Sequence, residues 1–80
     1  MKMTYYGEEF NIDDEIVQRR AQRFEDTEQD LIEFVEPYLD SKYGKNIEFY
    51  VGRLGRESIE KEINLFLTTD LDLTEPAQNG

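Results

Sequence analysis

Apolar and polar residues alternate over the first twelve positions. Met3, Tyr5, Phe10 and Ile12 share one face of a predicted hairpin made from 2–6 and 9–12, with Gly7-Glu8 as a two-residue Gly-X turn. That register sets Tyr5 opposite Phe10 and Met3 opposite Ile12. The spacing then lengthens to three, four and seven. Val17, Ala21, Phe24, Leu31, Val35, Tyr38 and Leu39 form the apolar stripe of an amphipathic helix over 14–36, capped by Asp13 or Asn11. Thr27 with Asp30 resembles a second cap, so the helix is expected to bend or break near Asp26. Pro37 is expected to kink or end it, leaving 38–43 as an irregular turn before Gly44.

Alternation returns later in the chain. Ile47, Phe49 and Val51, then Ile63, Leu65 and Leu67, predict a second hairpin from 46–53 and 61–69. A register with Val51 facing Ile63 and Ile47 facing Leu67 keeps apolar side chains together. It needs a loop over 54–60, with room for a helical turn at 57–62. The expected fold is α+β with the order ββαββ: a small antiparallel sheet of two hairpins, covered on its aliphatic face by one long helix. The domain is expected to span 1–69, followed by a flexible tail over 70–80. On the sheet's other face the same alternation gathers Tyr6, Tyr50 and Phe66, an aromatic surface suited to a second copy or a partner.

Composition narrows the chemistry. The 80 residues contain no His and no Cys, so there is no imidazole base, no thiolate and no zinc or disulfide framework. Ser41 and Ser58 have no activating base. Asp26, Glu28 and Asp30 fit the start of a calcium loop, but Leu31 stands where that loop needs Gly and Pro37 where it needs Glu. Gly52 to Gly55 is too short for a phosphate-binding loop. The expectation is a non-enzyme with no cofactor and no metal. No apolar run approaches the ~18 residues of a membrane span, and no signal peptide is apparent, which predicts a cytoplasmic protein without a membrane partner.

Charge gives the remaining signal. Nineteen Asp and Glu against nine Lys and Arg leave a net −10, and the excess is concentrated between residues 25 and 48, where eight carboxylates face only Lys42 and Lys45. On a helical wheel Asp26, Asp30, Glu33 and Asp40 fall in one sector, bordered by Glu25 and Glu36, opposite the apolar stripe. A continuous helix would draw these carboxylates out over about 21 Å at 1.5 Å per residue. Their spacing of roughly 5 to 7 Å approaches that of successive phosphates on a nucleic-acid strand. Arg19 and Arg23 stand at helical spacings from Glu15 and Asp26 that suit ordinary side-chain pairs, and the surrounding negative field disfavours direct nucleic-acid binding.

In size, acidity, lack of His and Cys, and the row Asp26, Asp30, Glu33 and Asp40, the chain resembles small phage-encoded inhibitors that mimic nucleic acid. The anti-CRISPR and anti-restriction proteins are the groups concerned. The resemblance is one of general character and transfers no motif residue. It implies a stoichiometric inhibitor whose partner is a basic nucleic-acid-binding protein or nuclease, bound through Asp26, Asp30, Glu33, Glu36 and Asp40. Some members of those groups block nucleases by routes other than mimicry. Two alternatives fit the same acidity: an immunity or antitoxin protein that neutralises a basic toxin, and a regulatory homo-oligomer, for instance a homodimer, built on Tyr6, Tyr50 and Phe66.

Overall fold

The structure is a computed structural model and describes residues 1–74. It is a small α+β protein: two antiparallel strands, β1 (Lys2–Tyr5) and β2 (Glu8–Asn11), are followed by four helices. These are α1 (Asp14–Phe24), α2 (Glu28–Lys42), α3 (Ile47–Leu54) and α4 (Arg56–Thr74), with a short 3₁₀ turn at Gly44–Asn46 before α3.

The hairpin forms with a different register from the one expected. Its two-residue turn is Tyr6-Gly7, both with positive φ (47° and 80°), as a type I′ turn requires. Met3 therefore pairs with Phe10 and Tyr5 with Glu8. The slip along β2 is two residues, one full side-chain period, so the faces do not exchange. Met3, Tyr5, Phe10 and Ile12 all remain buried together.

The expected long helix is broken where its sequence carries a second cap. Glu25 turns out of the helix at φ 60°, and Thr27 opens α2 with a complete capping box. Thr27 Oγ1 accepts from the Asp30 N–H at 3.1 Å, and an Asp30 carboxylate oxygen accepts from the Thr27 N–H at 2.9 Å. Pro37 does not end α2, which continues to Lys42. It lies on the exposed side, where water can reach the carbonyl its ring leaves without a partner, and burial of Leu39 and Tyr43 holds the last turn down.

The second expected hairpin is not formed, and the ββαββ order gives way to helices. In 47–54 the pattern Ile47, Tyr50, Val51, Leu54 is helical, and Phe49, which alternation placed beside Ile47, is 62% exposed. In 56–74 a strict four-residue repeat, Ile59, Ile63, Leu67 and Leu71, is fully buried. The tail expected over 70–80 does not begin at residue 70, because Asp70 to Thr74 continue α4 and Leu71 packs into the core. The rest of that tail, 75–80, lies outside the described residues.

One core unites these elements: the inner hairpin face, Ile16 of α1, Leu31, Val35 and Leu39 of α2, Ile47, and the α4 stripe. Side chains of α4 close the free edge of β2. Glu60 accepts from the Asn11 N–H at 2.7 Å, and the Asn64 amide nitrogen donates to the Asn11 carbonyl at 3.2 Å. Arg56 donates to the Glu9 carbonyl at 2.7 Å. One of the sheet's two unpaired edges, that of β2, is thereby covered.

Candidate functional site

The solvent face of α2 is the most distinctive surface of the molecule. The helix carries Glu28, Asp30, Glu33, Glu36 and Asp40, and its one cation, Lys42, is drawn to Glu62 of α4. Among the described residues, none of these five α2 carboxylates enters an ion pair. Four further cations are engaged elsewhere: Arg20 with Asp26 and Asp70, Arg56 with Glu8, Arg19 with Asp72 and Lys2 with Glu9.

The expected row survives in part. Asp26 is not in it, because the chain has left α1 at Glu25 and the Asp26 carboxylate accepts from Arg20 Nε at 3.0 Å. Asp30 begins the row, and the bonds from the Thr27 backbone and hydroxyl hold its carboxyl below the usual range. Glu33 is exposed and accepts from the Gln29 side chain at 3.2 Å. Asp40 is exposed and accepts from the buried Tyr5 hydroxyl at 2.5 Å. Burial first, and Asp40 second, push the Tyr5 phenol far above its ordinary value, so it stays a donor. From Asp30 to Asp40 the row spans about 15 Å.

The aromatic face is redistributed. Tyr6, 63% exposed at the hairpin tip, lines an open depression with Thr4, Tyr5, Glu36 and Asp40. The structure thus joins one expected aromatic contact to two members of the acidic row. Tyr50 lies on α3 against Tyr43, ring centroids 4.9 Å apart. Phe66 lies in the α2–α4 seam, stacked on Phe34 at 5.1 Å and Tyr38 at 4.3 Å. No sheet face carries all three, since Tyr50 and Phe66 belong to helices. In comparisons with known proteins, no family model matches the sequence. Neither a curated protein nor a solved structure matches the chain.

Two polar clusters that position the acidic helix were not apparent from the sequence. Arg20, 4% exposed, sits where the predicted stripe had Val17 and Ala21 as its core residues. Its guanidinium donates to Asp26, to Asp70 at 2.8 Å and to the Leu67 carbonyl at 3.3 Å, and lies 4.7 Å from the Phe34 ring centre. The pairing expected between Arg23 and Asp26 is replaced by this one. At the other end of α2, Glu62 accepts from the hydroxyls of Tyr38 and Tyr43 and from Lys42. Burial works against the Glu62 charge, but the bonds from Lys42, Tyr43 and Tyr38 outweigh it and lower its pKa. Burial and the Glu62 contact push the Tyr43 phenol up to about 12.

These shifts define two pH limbs. A depressed Glu62 stabilises the fold above its unfolded pKa, and that contribution is lost as pH falls below about 4.5. A raised Tyr43 stabilises it below pH 10, and that contribution is lost as pH rises towards about 12. Glu62→Gln is expected to cost about 1–2 kcal/mol at pH 7, the scale of hydrogen bonds to a charged group. Urea denaturation at pH 3 and pH 7 checks this: the difference between variant and wild type should shrink at pH 3.

Among the described residues no cluster could hold a metal ion, and no helix is long and apolar enough to cross a membrane. What the arrangement offers is a rigid, negatively charged helix face with an aromatic ring at its margin.

Proposed function

We propose that this protein is a non-catalytic, stoichiometric inhibitor that acts in the cytoplasm of a host cell, of the kind represented by anti-CRISPR and anti-restriction proteins. The α2 face takes the place of nucleic-acid phosphates in the cationic groove of a DNA- or RNA-binding enzyme. The observation that carries this reading is the unneutralised run Asp30, Glu33, Glu36 and Asp40. Successive members are separated by about 4.5 to 6 Å along the helix axis, near the phosphate repeat of a strand. A fixed row of charge steers association and needs little ordering on contact. Tyr6 stands beside Glu36 and Asp40, where its ring would meet an incoming Lys or Arg.

The test uses Glu33→Gln, Glu36→Gln and Asp40→Asn together, leaving the Asp30 cap intact. Proteins retained from host lysate by the immobilised wild type at 0.1 M salt and released at 1 M are assayed for nucleic-acid binding with and without inhibitor. The triple variant is expected to stay folded, losing about 1 kcal/mol from the weakened Tyr5–Asp40 bond, and to bind about 10- to 100-fold more weakly, mainly through a slower on-rate. Full inhibition by the triple variant, or a partner with no affinity for nucleic acid, would overturn the reading. A recovered basic toxin would instead assign the same face to an immunity protein.

A further inference from the structure

The chain's charge is segregated. Residues 41–56 hold four cations, Lys42, Lys45, Arg53 and Arg56, against the single carboxylate Glu48, a local net of +3 within a molecule of −10. Lys42 and Arg56 are engaged inside the fold with Glu62 and Glu8. Lys45 and Arg53 are exposed and enter no ion pair among the described residues. They stand four residues to either side of Phe49, so all three lie along one side of the 3₁₀ turn and α3. Phe49 is one of the most exposed large apolar side chains in the described protein, its ring set edge-on to Tyr50 at 5.3 Å.

Gly52 borders the same strip. No atom lies within 4 Å of where its Cβ would be, so packing inside this chain does not call for glycine there. Glycine nonetheless weakens a helix relative to alanine. A close approach from outside the chain accounts for both facts.

The complement of this strip is present in the molecule itself. On α2, Glu33, Pro37 and Asp40 are all exposed and lie within about 60° of one another around the helix. An apolar ring flanked by two carboxylates spanning about 10.5 Å matches a phenyl ring flanked by two cations spanning about 12 Å. We infer that the Lys45–Phe49–Arg53 strip seats the Glu33–Pro37–Asp40 face of a second copy, head to tail. The two surfaces differ, so the contact is heterologous and repeats into open chains rather than closing as a symmetric dimer. At 0.15 M salt charges more than about 8 Å away are largely screened, which limits the repulsion between two acidic molecules. Two surface ion pairs and one ring make a weak contact, populated only at high concentration.

The self-contact stands without the proposed inhibition. Its consequence rests on that reading: the inhibitory row is covered in the assembled form and free when the protein is dilute.

Sedimentation equilibrium of the full chain at 0.15 M salt, from about 20 µM to about 1 mM, tests the contact at concentrations suited to a weak association. The weight-average mass is expected to rise with concentration beyond the dimer, and Phe49→Ala to weaken association about tenfold or more. Arg53→Glu removes one face, and Glu33→Lys with Asp40→Lys removes the other. Each variant is expected to be monomeric alone, and an equimolar mixture to form a dimer and nothing larger, because one intact pair of faces remains. A wild type that stays monomeric throughout overturns the inference, as does a mixture that stays monomeric. A mass unaffected by either reversal, or amide shifts confined to 45–53 on adding a ten-residue oligothymidylate but not on concentrating the protein, overturns it too. None of these outcomes depends on the inhibition assay.

Discussion

Arg20→Ala is expected to lower stability by about 2–4 kcal/mol, the largest loss for any single charged side chain in the described protein. The guanidinium is buried where α1, the 25–27 connection, α2 and α4 meet, and it neutralises two carboxylates, Asp26 and Asp70. Removing one side of a buried ion network costs about 3–5 kcal/mol, because the remaining charge is left unpaired. Asp26 and Asp70 are partly solvated, which places this case at the lower end of that range or somewhat below it. The Leu67 carbonyl also loses its donor, and Phe24 and Phe34 lose the cation lying over their rings. A loss of this size corresponds to a fall of roughly 15 °C in melting temperature for a domain this small. Calorimetry of the variant measures it directly. Arg20→Lys should recover less than half, since an ammonium cannot bridge both carboxylates as the planar guanidinium does. A fall of only a few degrees would show that the network is solvent-relaxed and not structural.

Ile63→Asp and Leu65→Asp form the second prediction, a contrast in which the first is expected to unfold the protein and the second to be nearly silent. Ile63 is fully buried in the α4 stripe, and an unpaired carboxylate there loses the apolar contact and adds the cost of burying a charge, together about 4 kcal/mol or more. Leu65 is 66% exposed, so the same change should stay within about 0.5 kcal/mol. If 61–69 were a strand, positions 63 and 65 would share one face and both changes would be severe. Circular dichroism and urea denaturation of the two variants distinguish the architectures. Equal destabilisation at both positions would contradict helix α4.

The sequence made the first half of the fold readable for identifiable reasons. The hairpin's inner face is correct although its register is not, because Met3, Tyr5, Phe10 and Ile12 keep their faces under a slip of two. The break before α2 is legible in Thr27 and Asp30, since a capping box is a local signal. The second half misleads because Ile63 and Leu67 fit a period of two as well as one of four, and the exposed Leu65 between them completes the alternation. The residues that decide it, Ile59 and Leu71, fall in stretches that alternation reads as loop and tail. On α1 the apolar spacing selects Val17 and Ala21, whereas the core takes Ile16 and Arg20. A buried arginine is recognisable only through partners, and one of these, Asp70, is 50 residues away.

The candidate site divides along the same line. Sequence alone determines the −10, its concentration in the middle of the chain, the lack of imidazole and thiol chemistry, and the membership of Asp30, Glu33 and Glu36 in one helix, whereas Asp40 joins them only because α2 continues through Pro37. Sequence also suggests Asp26 as a fifth member, which the αL turn at Glu25 removes. Which carboxylates are left without a cation is decided only by the tertiary structure. The cations reach across the chain, Arg20 to Asp70, Arg56 to Glu8 and Lys42 to Glu62, and so leave the outer face of α2 unneutralised. Ion pairing over such separations depends on how helices and hairpin pack, and packing is set by the buried stripes rather than by the charges.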